Sequence, residues 1–124
     1  MQLAPIVLFT YNRPVHTRQT IDALLKNEYA SGSDLIIFSD APKNDAAEDG
    51  VRQTRAYLRG ITGFRSINLI ERAENMGLAA NIIDGVTQVV NEYGQIIVLE
   101  DDLLTSPFFL KYMNEALSMY EDAN

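Results

Sequence analysis

Short apolar runs that stop abruptly at polar residues constrain this chain more than any other feature. Pro5–Phe9 (PIVLF), Asp34–Ser39 (DLIIFS), Phe64–Ile70 and Gln95–Leu99 (QIIVL) each have the length of a strand. Runs this short and this continuous suit strands covered on both faces, because a strand with one wet face would alternate apolar and polar residues. Phe64–Ile70 is the exception, with Ser66 and Asn68 between apolar positions.

Helix-period segments separate the runs. Arg13-Pro14 opens one that extends to about Asn27, with Thr17, Ile21, Leu24 and Leu25 on one face and Pro14 suited to a first turn. Asp45 with Glu48 three residues on resembles a capping box, and the helix after it carries Val51, Arg55 and Leu58 before ending near Gly60. Asn75-Met-Gly leads into a third, where Leu78, Ile82, Val86, Val89, Val90 and Tyr93 form a wide stripe that Gly94 closes. Ser106 as cap and Pro107 at the first helical position open a fourth, with Phe109, Met113, Ala116, Leu117 and Tyr120 facing inward. Strands that alternate with helices predict an α/β fold, a mostly parallel sheet with helices on both faces. No repeat, linker or low-complexity tract divides the chain, which reads as one unit.

Bulk properties remove several functions. A length of 124 residues with 47% hydrophobic content can bury a core, so disorder is disfavoured. A net charge of -7 opposes nonspecific binding to nucleic acid. The absence of cysteine removes disulfides and thiolate chemistry, and fits a reducing, cytoplasmic setting. The opening MQLAPIVLFTYNR lacks the basic leader and cleavage site of a signal peptide, and no stretch approaches the roughly 18 apolar residues of a membrane span.

In an open parallel sheet, ligands bind beyond the carboxyl ends of the strands. Behind the first run stand Thr10, Tyr11, Asn12 and Arg13; behind the second, Asp40; behind the third, Glu71, Arg72 and then Asn75; behind the fourth, Glu100, Asp101 and Asp102. The acidic triplet is the sharpest of these signals. Adjacent carboxylates repel and raise the cost of ionising one another, and a cation relieves that cost. Oxygen ligands without cysteine or histidine suit Mg²⁺ or Mn²⁺, which complete their shells with water and phosphate. That chemistry points to a diphosphate. The ordinary alternative is a solvated acidic turn. TYNRP after the first run is not a G-x-G-x-x-G loop, and no phosphate-binding loop of the G-x-x-x-x-G-K-[ST] type or G-x-S-x-G elbow occurs. His16, the only histidine, falls in a first helical turn and reads as a surface residue.

Together, PIVLFTYNRP, DLIIFSDAPKN, ERAENMGLAANI, IIVLEDDL and SPFFLKYMNEAL resemble the nucleotide-binding half of a GT-A glycosyltransferase, of the family 2-like and N-acetylglucosaminyltransferase I-like groups. The resemblance implies a Rossmann-like sheet ordered 3-2-1-4 and a nucleotide diphosphate sugar donor, UDP-linked. By the same resemblance Thr10, Asn12 and Arg13 border the base and ribose, Asp40 accepts from the N3–H of a uracil, and Arg72 lies near the base or diphosphate. Asn75 and Gly77 shape that wall, Asp101 faces the ribose or sugar, and Asp102 ligates Mn²⁺ or Mg²⁺ with Asp101 in or behind the shell and Glu100 in support. The acceptor is an unspecified glycan, lipid or protein. Complete domains of this kind are considerably longer, which implies that residues 1–124 are a portion truncated at the C-terminus, binding donor without a catalytic base and so inactive alone.

Three rivals remain on the sequence. A receiver-like domain has its acidic pair after the first strand, where this chain has Thr-Tyr-Asn-Arg. A sugar nucleotidyltransferase resembles this chain in its sheet but carries a glycine-rich, arginine-containing loop there, which is missing. A noncatalytic α/β binding module is the third.

Overall fold

The computed structural model describes residues 2–123, except the side chains of 121–123. Its elements alternate without interruption: β1 (Ile6–Thr10), α1 (Pro14–Leu25), a 3-10 turn (Ala30–Gly32), β2 (Asp34–Ser39), α2 (Asp45–Leu58), β3 (Ser66–Glu71), α3 (Leu78–Tyr93), β4 (Ile97–Glu100) and α4 (Phe109–Ala123). The four strands form one sheet in the order β3-β2-β1-β4, and every pairing is parallel. This is the α/β architecture, and the strand order, anticipated above. Among the described residues no helix is long and apolar enough to cross a membrane.

Alternating side chains divide the core between the two faces of the sheet. Ile6, Leu8, Leu35, Ile37, Ile97 and Leu99 point to one side, where Ile21 and Leu24 of α1, Leu58 of α2 and Leu110 of α4 cover them. Val7, Phe9, Ile36 and Phe38 point to the other, under Val89, Ile82 and Val86 of α3. Close approach on this second face requires Gly85: a Cβ there would stand 2.7 Å from the Phe9 ring and 2.9 Å from the Phe38 ring, which stack on each other. β1 is buried at all five positions, as a central strand must be, whereas β3 is half exposed at the edge.

Element ends depart from the sequence reading by one or two residues. β1, β3 and β4 all begin later and reach one residue further, to Thr10, Glu71 and Glu100. α2 is capped by Asn44, whose Oδ1 accepts from the Ala47 N–H at 3.2 Å, so Asp45 and Glu48 lie inside the first turn and favour the helix dipole there. α4 starts at Phe109, not Pro107; the Ser106 carbonyl, not its hydroxyl, meets the Phe109 N–H at 3.1 Å. Leu25 is exposed, because α1 turns Thr17, Thr20, Ile21 and Leu24 to the sheet and Leu25 lies about 100° past Leu24. The α3 stripe is narrower than its sequence: Leu78, Val90 and Tyr93 are exposed, and Asn81, Gly85 and Val89 are buried. Tyr120 of α4 is likewise exposed, while Phe109, Met113 and Leu117 pack on the core.

Candidate functional site

Parallel strands end on one side, so their following loops meet on one rim. There they enclose a cleft of about 400 Å³ lined by Thr10, Tyr11, Asn12 and Arg13 from β1, Asp40 and Lys43 from β2, Asn75 and Gly77 before α3, Leu78 and Asn81 of α3, and Glu100, Asp101 and Asp102 from β4. Every site residue expected from the sequence except Arg72 is therefore in one lining. The sequence reading missed Lys43, Leu78 and Asn81. Spacing from Gly77 offered a signal for Asn81, since a polar residue in the first turn of a helix that starts at a strand-end rim faces that rim. Lys43 left no such signal.

Asp40 is buried, and its carboxylate is already well supplied with donors. Oδ1 accepts from the Ala41 and Met76 backbone N–H groups, both at 2.9 Å; Oδ2 accepts from the Gly77 N–H at 3.0 Å and from Asn75 Nδ2 at 3.2 Å. The arrangement has a local cause. Gly77, with φ 82°, precedes α3 and supplies no side-chain cap. The positive end of the helix is met instead by a carboxylate from the neighbouring strand end, through the N–H of Gly77 and of Met76 before it. Asp40 thus clamps the Asn75–Gly77 turn to the end of β2. A ligand N–H would have to share an oxygen that already accepts twice.

Arg72 lies a layer behind the cleft. Its guanidinium sits 4.8 Å from the Phe38 ring centroid, and its Nε donates to Asn81 Oδ1 at 3.1 Å. Its Nη2 is 2.7 Å from Asp84 Oδ2, close enough for an ion pair, but the sealed Nη2 makes no well-aligned hydrogen bond. Its own carbonyl accepts from Arg55 Nη2 at 2.9 Å. Arg72 consequently touches the cleft through Asn81.

The β1 loop is held from several sides. Tyr11 Oη accepts from the Lys43 backbone N–H at 2.9 Å. A Cβ on Gly50 of α2 would stand 2.5 Å from the Asn12 carbonyl oxygen, so only glycine lets α2 lie against this loop. Thr10 Oγ1, sealed in the cleft wall, has no hydrogen-bond partner, which is uncommon for a buried hydroxyl. On the opposite side, Thr20 Oγ1 donates to the Asp101 carbonyl at 2.9 Å and fixes the backbone of the acidic turn.

Electrostatics single out Asp101. Burial pushes its carboxyl above the ordinary aspartate range; Arg13 opposes the shift, Asp102 and Glu100 add to it, and the Tyr11 backbone N–H opposes it. The net effect disfavours negative charge where three carboxylates already stand. A cation beside them reverses that balance. Among the described residues no three acidic or histidine side chains form a closed metal cage. One or two carboxylates on an open rim nevertheless fit a hard ion that takes its other ligands from phosphate and water. His16 is exposed on α1 and does not line the cleft.

The family model described as "Glycosyl transferase family 2" matches residues 6–123. No curated protein matches the chain. Among solved structures, that of S. aureus TarS superposes with a TM-score of 0.68 at 12% identity, over 96% of this chain and 20% of that one. The structure of S. aureus TarS 1-349 gives 0.59 at 9% identity, over 95% and 32%. The same TarS 1-349 in complex with UDP gives 0.56 at 11% identity, again over 95% and 32%. This chain therefore spans about a fifth to a third of the length of those proteins, and at such identity the likeness is one of fold.

Proposed function

Because this chain belongs to glycosyl transferase family 2, we propose that it binds a nucleotide diphosphate sugar, UDP-linked, for metal-assisted transfer of the sugar to a glycan, lipid or protein acceptor. The observation that carries this reading is the convergence on one cleft of the loops behind β1, β2 and β4 with the turn before α3. The complex of TarS 1-349 with UDP supports the choice of nucleotide.

The cleft has two chemically different ends, because β2 and β4 flank β1 on opposite sides. The β4 end carries Glu100, Asp101 and Asp102, suited to a divalent ion and diphosphate. The β2 end carries Asp40, Asn75, Gly77 and Asn81, a wall of amides and backbone suited to a base. Between them, Thr10, Asn12 and Arg13 border the ribose. Asp40 shapes the base wall by holding the Asn75–Gly77 turn. Arg13, whose charge favours ionised Asp101, adds positive charge beside a diphosphate.

Mn²⁺ or Mg²⁺ would be held by Asp102, with Asp101 in or behind its shell, and would supply Lewis-acid stabilisation of the leaving diphosphate. The chain's own side chains orient the donor and keep the acidic turn in place. No residue here is assigned as the base that activates the acceptor, so the proposal for this chain is donor binding. Calorimetry with UDP, with and without Mn²⁺, tests it. The expected result is mutual tightening of nucleotide and ion, because coupling between two ligands is reciprocal. Absence of UDP binding in the presence of Mn²⁺ overturns the proposal.

A further inference from the structure

Asn81 is only 2% exposed yet lines the cleft. Its neighbour fixes which way its amide points. Arginine has donors and no acceptor, so the Asn81 atom that faces Arg72 Nε at 3.1 Å must be the oxygen. The NH₂ group is then turned away from Arg72, and it finds no acceptor among the described residues. It is not among the sealed polar atoms that make no hydrogen bond, which among the described residues are Thr10 Oγ1, Thr17 Oγ1 and Arg72 Nη2. The amide nitrogen of this buried residue therefore keeps accessible surface, on a residue that lines the cleft.

Arg72 is itself immobilised. Its guanidinium lies over Phe38, beside Asp84, and its carbonyl is held by Arg55. A planar guanidinium fixed in this way permits one amide orientation, which a lysine could not enforce. The cleft wall beside Asn81 contains Asp40, but Asp40 is occupied by the Ala41, Met76, Gly77 and Asn75 donors. Asn81 thus offers an amide donor at the β2 end of the cleft, across β1 from Glu100–Asp102, and a neutral acceptor suits a side chain so little exposed. A pyrimidine carbonyl fits this description. A phosphate belongs with the ion at the other end.

We propose that the Asn81 amide donates to a carbonyl of the nucleobase, and that Arg72 is a positioning residue that sets the amide without touching the ligand. This inference rests on the uridine nucleotide reading above. It adds a specificity-determining contact made in the first turn of α3.

The test uses the ¹⁵N-labelled 124-residue chain with Mg²⁺, titrated with UDP and separately with inorganic pyrophosphate. The Asn81 side-chain NH₂ resonances are expected to shift with UDP and to stay in place with pyrophosphate. Asn81→Asp should weaken UDP about tenfold or more and leave pyrophosphate unchanged, as expected for loss of a well-made hydrogen bond. Arg72→Lys should weaken UDP alone in the same way, and combining it with Asn81→Asp should add little, because the two changes act on one contact. A purely structural arginine would lower both affinities, or would add fully to Asn81→Asp. Resonances that ignore bound UDP, or that respond equally to pyrophosphate, overturn the inference even if both variants fail to fold. Wild-type protein that binds no UDP overturns the donor-binding reading instead, a result visible before any variant is made.

Discussion

Carboxylates at the two edges of the sheet meet opposite fates. Along the β2–β3 pair the chain answers its own acids. Asp34 accepts from Arg65 through both oxygens and from Ser66, and Glu71 accepts from Arg59 through both oxygens, with Arg55 3.8 Å away. Hydrogen bonds from Arg65 and from Arg59 hold these two carboxyls below the ordinary range. At the end of β4, Glu100, Asp101 and Asp102 have no ion pair with a basic side chain within 4.0 Å among the described residues, and burial holds Asp101 above that range. Residue type is the same at both edges. The difference lies in who supplies the positive charge. Beside Asp34 and Glu71 an arginine is built in; at the end of β4 no basic side chain stands within ion-pair distance among the described residues.

The largest effect is expected from the β4 acids, if they are not as self-contained as Asp34 and Glu71. Asp102→Asn should reduce the mutual tightening of Mn²⁺ and UDP at least about tenfold, within the usual range of such couplings. Electron spin resonance of Mn²⁺, with and without UDP, reads this directly. Intact coupling would make the triplet a solvated turn.

Asp40, between the edges, is a carboxylate answered by N–H groups in place of arginine. Asp40→Ala removes a charged acceptor from the Asn75–Gly77 turn and from the start of α3. A loss of about 2–3 kcal/mol in urea unfolding is expected if one good charge-assisted hydrogen bond's worth is lost net. Unchanged stability, combined with a large loss of UDP affinity, would instead return Asp40 to direct contact with the base.

Acid titration resolves the smallest effect and carries a sign. Asp34 and Glu71 have lowered values in the folded chain, so their contribution is fully present above the ordinary values of about 4 and is lost as pH falls through the folded values. Asp101 runs the other way: its raised value favours the folded state while it is protonated, and that advantage disappears as pH rises from about 4 through the folded value. Without metal, Asp101→Asn should therefore raise the melting temperature slightly at pH 7 and leave it unchanged at pH 3. Arg65→Ala should lower stability slightly at pH 7 and leave it unchanged in strong acid, which flattens the acid side of the profile; the effect is small because the Arg65 side chain is 66% exposed. Equal signs for the two edges would erase the distinction drawn between them.

Much of this was legible from the sequence because it depends on neighbours in the chain. Unbroken apolar runs can be strands only where both faces are covered, and a helix between each pair leaves a parallel sheet as the simple solution. A parallel sheet gathers its strand ends on one rim, which is why Thr10, Asn12, Arg13, Asp40, Asn75, Asp101 and Asp102 share one cleft despite wide separation. The resemblance added the strand order.

Tertiary structure alone decided what each rim residue touches. Asp40 reads as an open acid, yet its donors Met76 and Gly77 come from 36 and 37 residues further along, across a neighbouring strand. Arg72 reads as a rim cation, yet Phe38, Asn81 and Asp84 draw it under the rim and pass its place in the lining to Asn81. Leu25 and Leu78 read as core by period, but each lies off the arc of its helix that is buried, and both stay exposed. The physical reason is common to all of them. Local sequence sets backbone hydrogen bonding and the period of the apolar face, whereas the partner of a long polar side chain depends on which strand the fold sets beside it.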